Sequence, residues 1–144
     1  MKWAPAWSPT GEIIAYQANP DGLFQICFTS PEGDSLGCYS PGWSVVSPSW
    51  SPDGRQLVFS GLGDGSWDIY IADLIHSGGA ISLENVVNLT KSSSVDAYPR
   101  MSQNGQYIAF QSDRQGTNDI YIMRADGSEL QAVVNDIADE VIPG

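Results

Sequence analysis

Histidine occurs once in these 144 residues, cysteine twice, and lysine and arginine together only six times. Each scarcity removes a class of function. A closed zinc site wants four nitrogen or sulfur ligands, more than His76, Cys27 and Cys38 supply. Six cations against 17 acidic side chains give a formal charge of −11. Phosphate backbones and anionic lipid surfaces repel such a chain, so neither nucleic acid nor membrane insertion is expected. No apolar run approaches the roughly 20 residues that cross a bilayer. The N-terminus, Met1-Lys2-Trp3-Ala4-Pro5, enters patterned sequence at once, without the apolar stretch of a signal peptide. Charged residues are sparse altogether, at 16%, whereas five Trp, six Tyr, 15 Gly and nine Pro suit short strands punctuated by turns.

What is present is repetition. Pro5-Ala6-Trp7-Ser8-Pro9-Thr10-Gly11 returns as Pro48-Ser49-Trp50-Ser51-Pro52-Asp53-Gly54 and again as Pro99-Arg100-Met101-Ser102-Gln103-Asn104-Gly105. Each copy leads into a short apolar strand: Ile13-Ile14-Ala15-Tyr16, Leu57-Val58-Phe59 and Tyr107-Ile108-Ala109-Phe110. A second block, Gln25-Ile26-Cys27-Phe28, Asp68-Ile69-Tyr70-Ile71 and Asp119-Ile120-Tyr121-Ile122, keeps an offset of 18 residues from Trp7, Trp50 and Met101. A period of about 40–50 residues with four short strands is the signature of a propeller blade. The last strands are placed at Leu36–Tyr39, Val86–Thr90 and Leu130–Val134. Asp53-Gly54 and Asn104-Gly105 enter positive φ cheaply and are read as tight hairpins. The longer second period is assigned to a Gly-rich surface loop around Ile75-His76-Ser77-Gly78-Gly79. The expected fold is all-β: three four-stranded antiparallel sheets in one unit spanning 1–144, with repeats at about 5–47, 48–98 and 99–142.

These motifs resemble the TolB-type propeller repeat, with its Pro-x-Trp-Ser-Pro-Asp-Gly, Ile-Ala-Phe-like strand and Asp-Ile-Tyr. The segment Pro48–Ile71 matches almost position for position, and Ser112-Asp113-Arg114-Gln115-Gly116 adds a family-like loop. The first copy departs most, with Thr10 in the turn and Cys27 where Tyr is expected. The resemblance covers about Pro5 to Pro143. It implies a recognition surface like those of periplasmic Tol-system proteins, or a propeller that gates substrate for a prolyl-oligopeptidase-like domain absent here. A periplasmic or extracellular setting follows from the same resemblance.

Three blades do not close a ring. They leave two apolar sheet faces bare, so the expected state is a homo-oligomer: two chains giving six blades first, three giving nine second. The rival is a chain excised from a longer propeller. Trp7, Trp50, Met101, Tyr70 and Tyr121 are assigned to the core between blades; Trp3, Trp43 and Trp67, outside the strict motif, are read first as structural, with a place on the rim as the alternative. The innermost strands should line a central channel, which makes Ser47, Asp96, Tyr98, Asp139 and Glu140 the candidates for ligand contact. The three acids among them would favour a basic partner. Asp64, Asp68, Asp113 and Asp119 place hard oxygens in loops, but lack the spacing of a twelve-residue calcium loop; no metal, cofactor or catalytic residue is assigned, and His76 is read as a surface residue. Cys27 and Cys38 could pair across a hairpin or stay as two buried thiols, since spacing does not supply their separation. The expected function is a non-catalytic module that binds protein or peptide, or assembles with itself.

Overall fold

A computed structural model describes residues 2–134. Three meandering antiparallel sheets follow one another. The first contains β1 (Lys2–Trp7), β2 (Ile14–Ala18), β3 (Gln25–Thr29) and β4 (Ser35–Tyr39). The second contains β5 (Val45–Trp50), β6 (Gln56–Gly61), β7 (Asp68–Ser77) and β8 (Ala80–Asn88). The third contains β9 (Asp96–Met101), β10 (Tyr107–Ser112), β11 (Asp119–Arg124) and β12 (Gln131–Val134). These are the three blades. Each opening strand begins about three residues before the leading proline, so the repeat boundaries at 48 and 99 fall inside β5 and β9 rather than between blades. No helix among the described residues is long and apolar enough to cross a membrane.

The turn after each opening strand is one device used three times. The Gly54 amide donates to the Ser51 carbonyl at 2.9 Å, and Gly105 does the same to Ser102 and Gly11 to Ser8. Of each dipeptide only the glycine has positive φ; Asp53 and Asn104 do not. Their side chains serve instead as acceptors. Asp53 Oδ1 takes the Ser51 hydroxyl at 2.6 Å and the Arg55 amide at 3.0 Å, while Ser51 Oγ accepts from the Gln56 amide. Asn104 repeats both bonds with Ser102 and Gln106. Ser-Pro-Asp-Gly is thus a self-satisfied turn, with proline presetting φ and the Asx oxygen closing it.

The extra residues of the second repeat do not form a loop. They lengthen β7 and β8 into a hairpin, in which Ser77 pairs with Ala80 across Gly78-Gly79. Those two glycines, at φ 62° and 79°, make the mirror-image turn whose twist matches that of the strands.

Two apolar cores hold the blades together. Ile26 and Phe28 of the first blade meet Leu57, Phe59 and Tyr70 of the second. Val58, Ile69 and Ile71, on the opposite face of the second sheet, meet Ile108, Phe110, Tyr121 and Met123 of the third. The central sheet is therefore buried on both faces, which is why its strands read as continuous apolar runs rather than alternating ones. Trp50, 9% exposed, sits at the first junction, edge-on to Phe28, with its Nε1 donating to the Ala6 carbonyl at 2.9 Å. Tyr70, Tyr121 and the half-buried Met101 pack as expected. Trp7 does not. It is 58% exposed, because the motif tryptophan packs on the preceding blade and no blade precedes the first among the described residues.

Cys27 and Cys38 form a disulfide between directly opposed residues of β3 and β4, with Cα atoms 3.9 Å apart. The antiparallel register brings the two side chains together, a pairing that residue spacing alone had left open.

Candidate functional site

The innermost strands β1, β5 and β9 stand at the inner edge of each sheet, and their side chains line one groove of about 1110 Å³ running across all three blades. An edge strand presents unpaired backbone groups, and each of these is blunted in the same way. Ala4-Pro5, Ser47-Pro48 and Tyr98-Pro99 each set two residues against one on the neighbouring strand, a β-bulge. The residue before the proline is left-handed in all three: φ is 54° at Ala4, 56° at Ser47 and 54° at Tyr98. The proline removes a donor from the open edge, and the bulge turns the preceding side chain into the groove. Tyr98, 61% exposed, is the largest side chain so presented.

Ser47 and Tyr98 thus lie on the wall, where the sequence placed them. Asp96 does not. It is fully buried at the start of β9, with both carboxylate oxygens 3.2 Å from Arg114 Nη2. Arg114 in turn stacks over the rings of Tyr121 and Phe110 and bonds Ser112 Oγ. The wall position belongs to the bulged residue two places on; Asp96 is a neutralised core acid, not a charge at a channel mouth. Asp139 and Glu140 lie outside the described residues. Among the described residues that line the groove no carboxylate appears, and the one charged side chain is the exposed Arg100. The preference for a basic partner drawn from Asp96 therefore loses its support.

Sequence reasoning missed Arg100 and Phe24, and gave Trp3 and Trp67 the groove only as the second reading behind a structural role. Trp3 packs edge-on to Phe24 at 5.4 Å, and both line the groove with Trp67. Phe24 and Trp67 hold the same repeat position, just before the Asp-Ile-Tyr strand, so two large aromatics recurring there were the available signal. Trp43 is instead part of the core, 5.0 Å from Tyr70.

The acidic loop residues are engaged with protein donors. Asp68 accepts from Asn88 Nδ2 at 2.8 Å, Thr90 Oγ1 at 3.2 Å and the Ser92 amide at 3.0 Å. Asp64 takes the same Asn88 amide at 2.7 Å, Asp113 takes the Val95 amide at 2.8 Å, and Thr117 bonds Asp119. They tie the loops to the last and first strands of their blades, and no group of three metal-ligating side chains converges among the described residues. Burial, then the charges of Asp64 and Asp68, push the Tyr70 hydroxyl above its ordinary value. Gly33-Asp34-Ser35-Leu36-Gly37 has the Gly-x-Ser-x-Gly spacing of a nucleophile elbow. Yet Ser35 opens β4 of a hairpin, not a strand-to-helix turn, and no side-chain hydrogen bond joins it to His76, which lies on β7 opposite Ile81.

A family model described as the TolB beta propeller domain matches residues 1–141. An uncharacterized protein of Agrobacterium fabrum is 34% identical over 86 residues, covering 60% of this chain and 27% of its own length. The crystal structure of TolB from Acinetobacter baumannii superposes with a TM-score of 0.71 at 24% identity, over 92% of this chain and 32% of that one. A prolyl endopeptidase superposes with a TM-score of 0.65 at 15% identity, over 95% of this chain and 22% of that one, a likeness of fold alone. The chain thus spans between about a fifth and a third of the length of these three relatives.

Proposed function

Since the chain belongs to the TolB beta propeller family, we propose that it is a non-catalytic recognition module whose inner-strand groove binds a protein or peptide segment, in a ring completed by a further copy. The observation that carries this reading is the composition of the groove. Tyr98, Trp3, Trp67 and Phe24 offer broad apolar surface, and Arg100 offers five donors, of which one bonds the Pro99 carbonyl. Aromatic and arginine side chains in a concave wall are what dominate peptide affinity. The ligand that fits is an extended segment with apolar side chains and a carboxylate or carbonyl for Arg100, rather than a basic one.

The Cys27–Cys38 bond supports an oxidising, extracytoplasmic compartment. Substrate gating for a peptidase is the second reading, and a Ser-His-Asp domain in the same gene would favour it. The test is selection of peptides from a random display library against the chain. Apolar sequences that lose at least tenfold affinity on Trp67→Ala and on Arg100→Glu are expected. Basic peptides, or binding indifferent to both substitutions, would refute the groove.

A further inference from the structure

The groove refuses one common mode of peptide capture. A strand joins a sheet edge through a ladder of backbone bonds, which needs free donors and an unbroken register on that edge. On the inner strands Pro48 and Pro99 have no N–H, and the Ser47 amide donates to Gln17 Oε1 at 2.8 Å. The left-handed Ser47 and Tyr98, at φ 56° and 54°, break the register at the same place. What the wall offers instead is side chains.

Two of them repeat. Phe24 and Trp67 hold one position in successive blades, and the same bond fixes each. The Phe24 carbonyl accepts from the Val45 amide at 3.1 Å, and the Trp67 carbonyl from the Asp96 amide at 2.8 Å. Both stand at junctions whose two blades are described. Packed sheets lie about 10 Å apart, so the two rings recur at about that interval along the groove. A polyproline II helix has three residues per turn and a rise of about 3.1 Å, or about 9 Å per turn. Prolines three residues apart therefore meet Phe24 and Trp67 in step. A β-strand repeats its side chains about every 6.6 Å and misses the second ring by about 3 Å. On the third blade stands Arg100, the one charged side chain lining the groove among the described residues.

Resting on the groove reading above, we infer that the ligand is a proline-rich segment in the polyproline II conformation. Prolines at i and i+3 lie on Phe24 and Trp67, and an acidic side chain about one turn further on meets Arg100. Such a helix makes no internal hydrogen bonds and its prolines carry no donor, so an edge without a ladder costs it nothing. Its solvated carbonyls accept from the Trp67 indole N–H and the Tyr98 hydroxyl. It is already stiff when free, so little ordering entropy is lost. The chain's charge of −11 disfavours an acid elsewhere, and Arg100 fixes the one place where the groove accepts it.

The test is fluorescence polarisation of the whole chain with labelled, capped alanine peptides carrying proline at the first and fourth positions and glutamate at the seventh, in both chain directions. One direction is expected to bind. Glycine for both prolines, or Trp67→Ala, should cost about tenfold or more, while N-methylation of the intervening residues, which blocks a ladder, should change affinity by less than about twofold. Lysine for the peptide glutamate should cost about tenfold, and Arg100→Glu should restore that peptide. Arg100 is exposed, so this exchange reads the site even where Trp67→Ala fails a circular dichroism check of folding. No binding in either direction, loss on N-methylation, or failure of the charge exchange overturns the inference. Proline-free apolar peptides from the display library that still depend on Trp67 would sink it and leave the groove standing; binders indifferent to Trp67 and Arg100 would sink both.

Discussion

Trp7 and Trp50 occupy one motif position in two environments, and replacing each by phenylalanine tests how burial governs the repeat. At position 50 the smaller ring loses the bond to the Ala6 carbonyl, which lies in a part-buried junction. A polar group left so costs about 1–2 kcal/mol. The lost ring area, roughly 40 Å², adds about 1 kcal/mol. Trp50→Phe should therefore destabilise by about 2–3 kcal/mol, or lower Tm by about 5–10 °C for a chain of this size. Trp7→Phe, on a bare face, should cost less than about 0.5 kcal/mol when copies are apart. Urea denaturation followed by far-ultraviolet circular dichroism, at a series of protein concentrations, separates the two. On the proposed reading of a ring completed by a further copy, the Trp7→Phe cost should grow with concentration, and the Trp50→Phe cost should not. Equal costs at the lowest concentration would refute the argument, as would a Trp50→Phe cost below about 1 kcal/mol.

Reduction of Cys27–Cys38, or Cys27→Ser with Cys38→Ser, should remove about 3 kcal/mol, the chain-entropy value for a loop closed over a sequence separation of 11, read from melting with and without dithiothreitol. Arg114→Met should cost about 3 kcal/mol by leaving the buried Asp96 carboxylate unpaired; adding Asp96→Asn should recover most of it, and failure of that rescue in denaturation curves would refute the pairing. The Ser51 hydroxyl, then the Arg55 amide, hold the Asp53 carboxyl below its ordinary value. Because the folded state favours the ionised form, Asp53 contributes fully above the ordinary carboxylate range, and the contribution fades as pH falls through the lowered value. Asp53→Asn, which copies Asn104, should be neutral within about 0.5 kcal/mol at pH 7 and should flatten the acid limb of a Tm-against-pH curve.

The blades were legible before the structure because everything that makes them is local. Alternation and apolar runs mark the strands, and Ser-Pro-Asp-Gly carries its own hydrogen-bond partners within six residues, so a turn of this kind forms wherever it is written. The same local logic fails at Gly78-Gly79, where glycine reads as a sign of loop although it suits the sharpest hairpin.

The site was less legible. Ser47 and Tyr98 were found because position in the repeat fixes which strand is innermost. Asp96, two residues from Tyr98, was assigned to the wall because strand position does not say which side of a bulge faces the groove. Arg114, distant in sequence, buries and neutralises it. Cys27 meets Cys38, and Trp7 is bare where Trp50 is sealed, for the same reason. Sequence alone determined which segments become strands and how many blades they build, since those depend on each residue and its near neighbours. Pairing, burial and exposure depend on what is brought against a residue from elsewhere, and only the tertiary arrangement decides that.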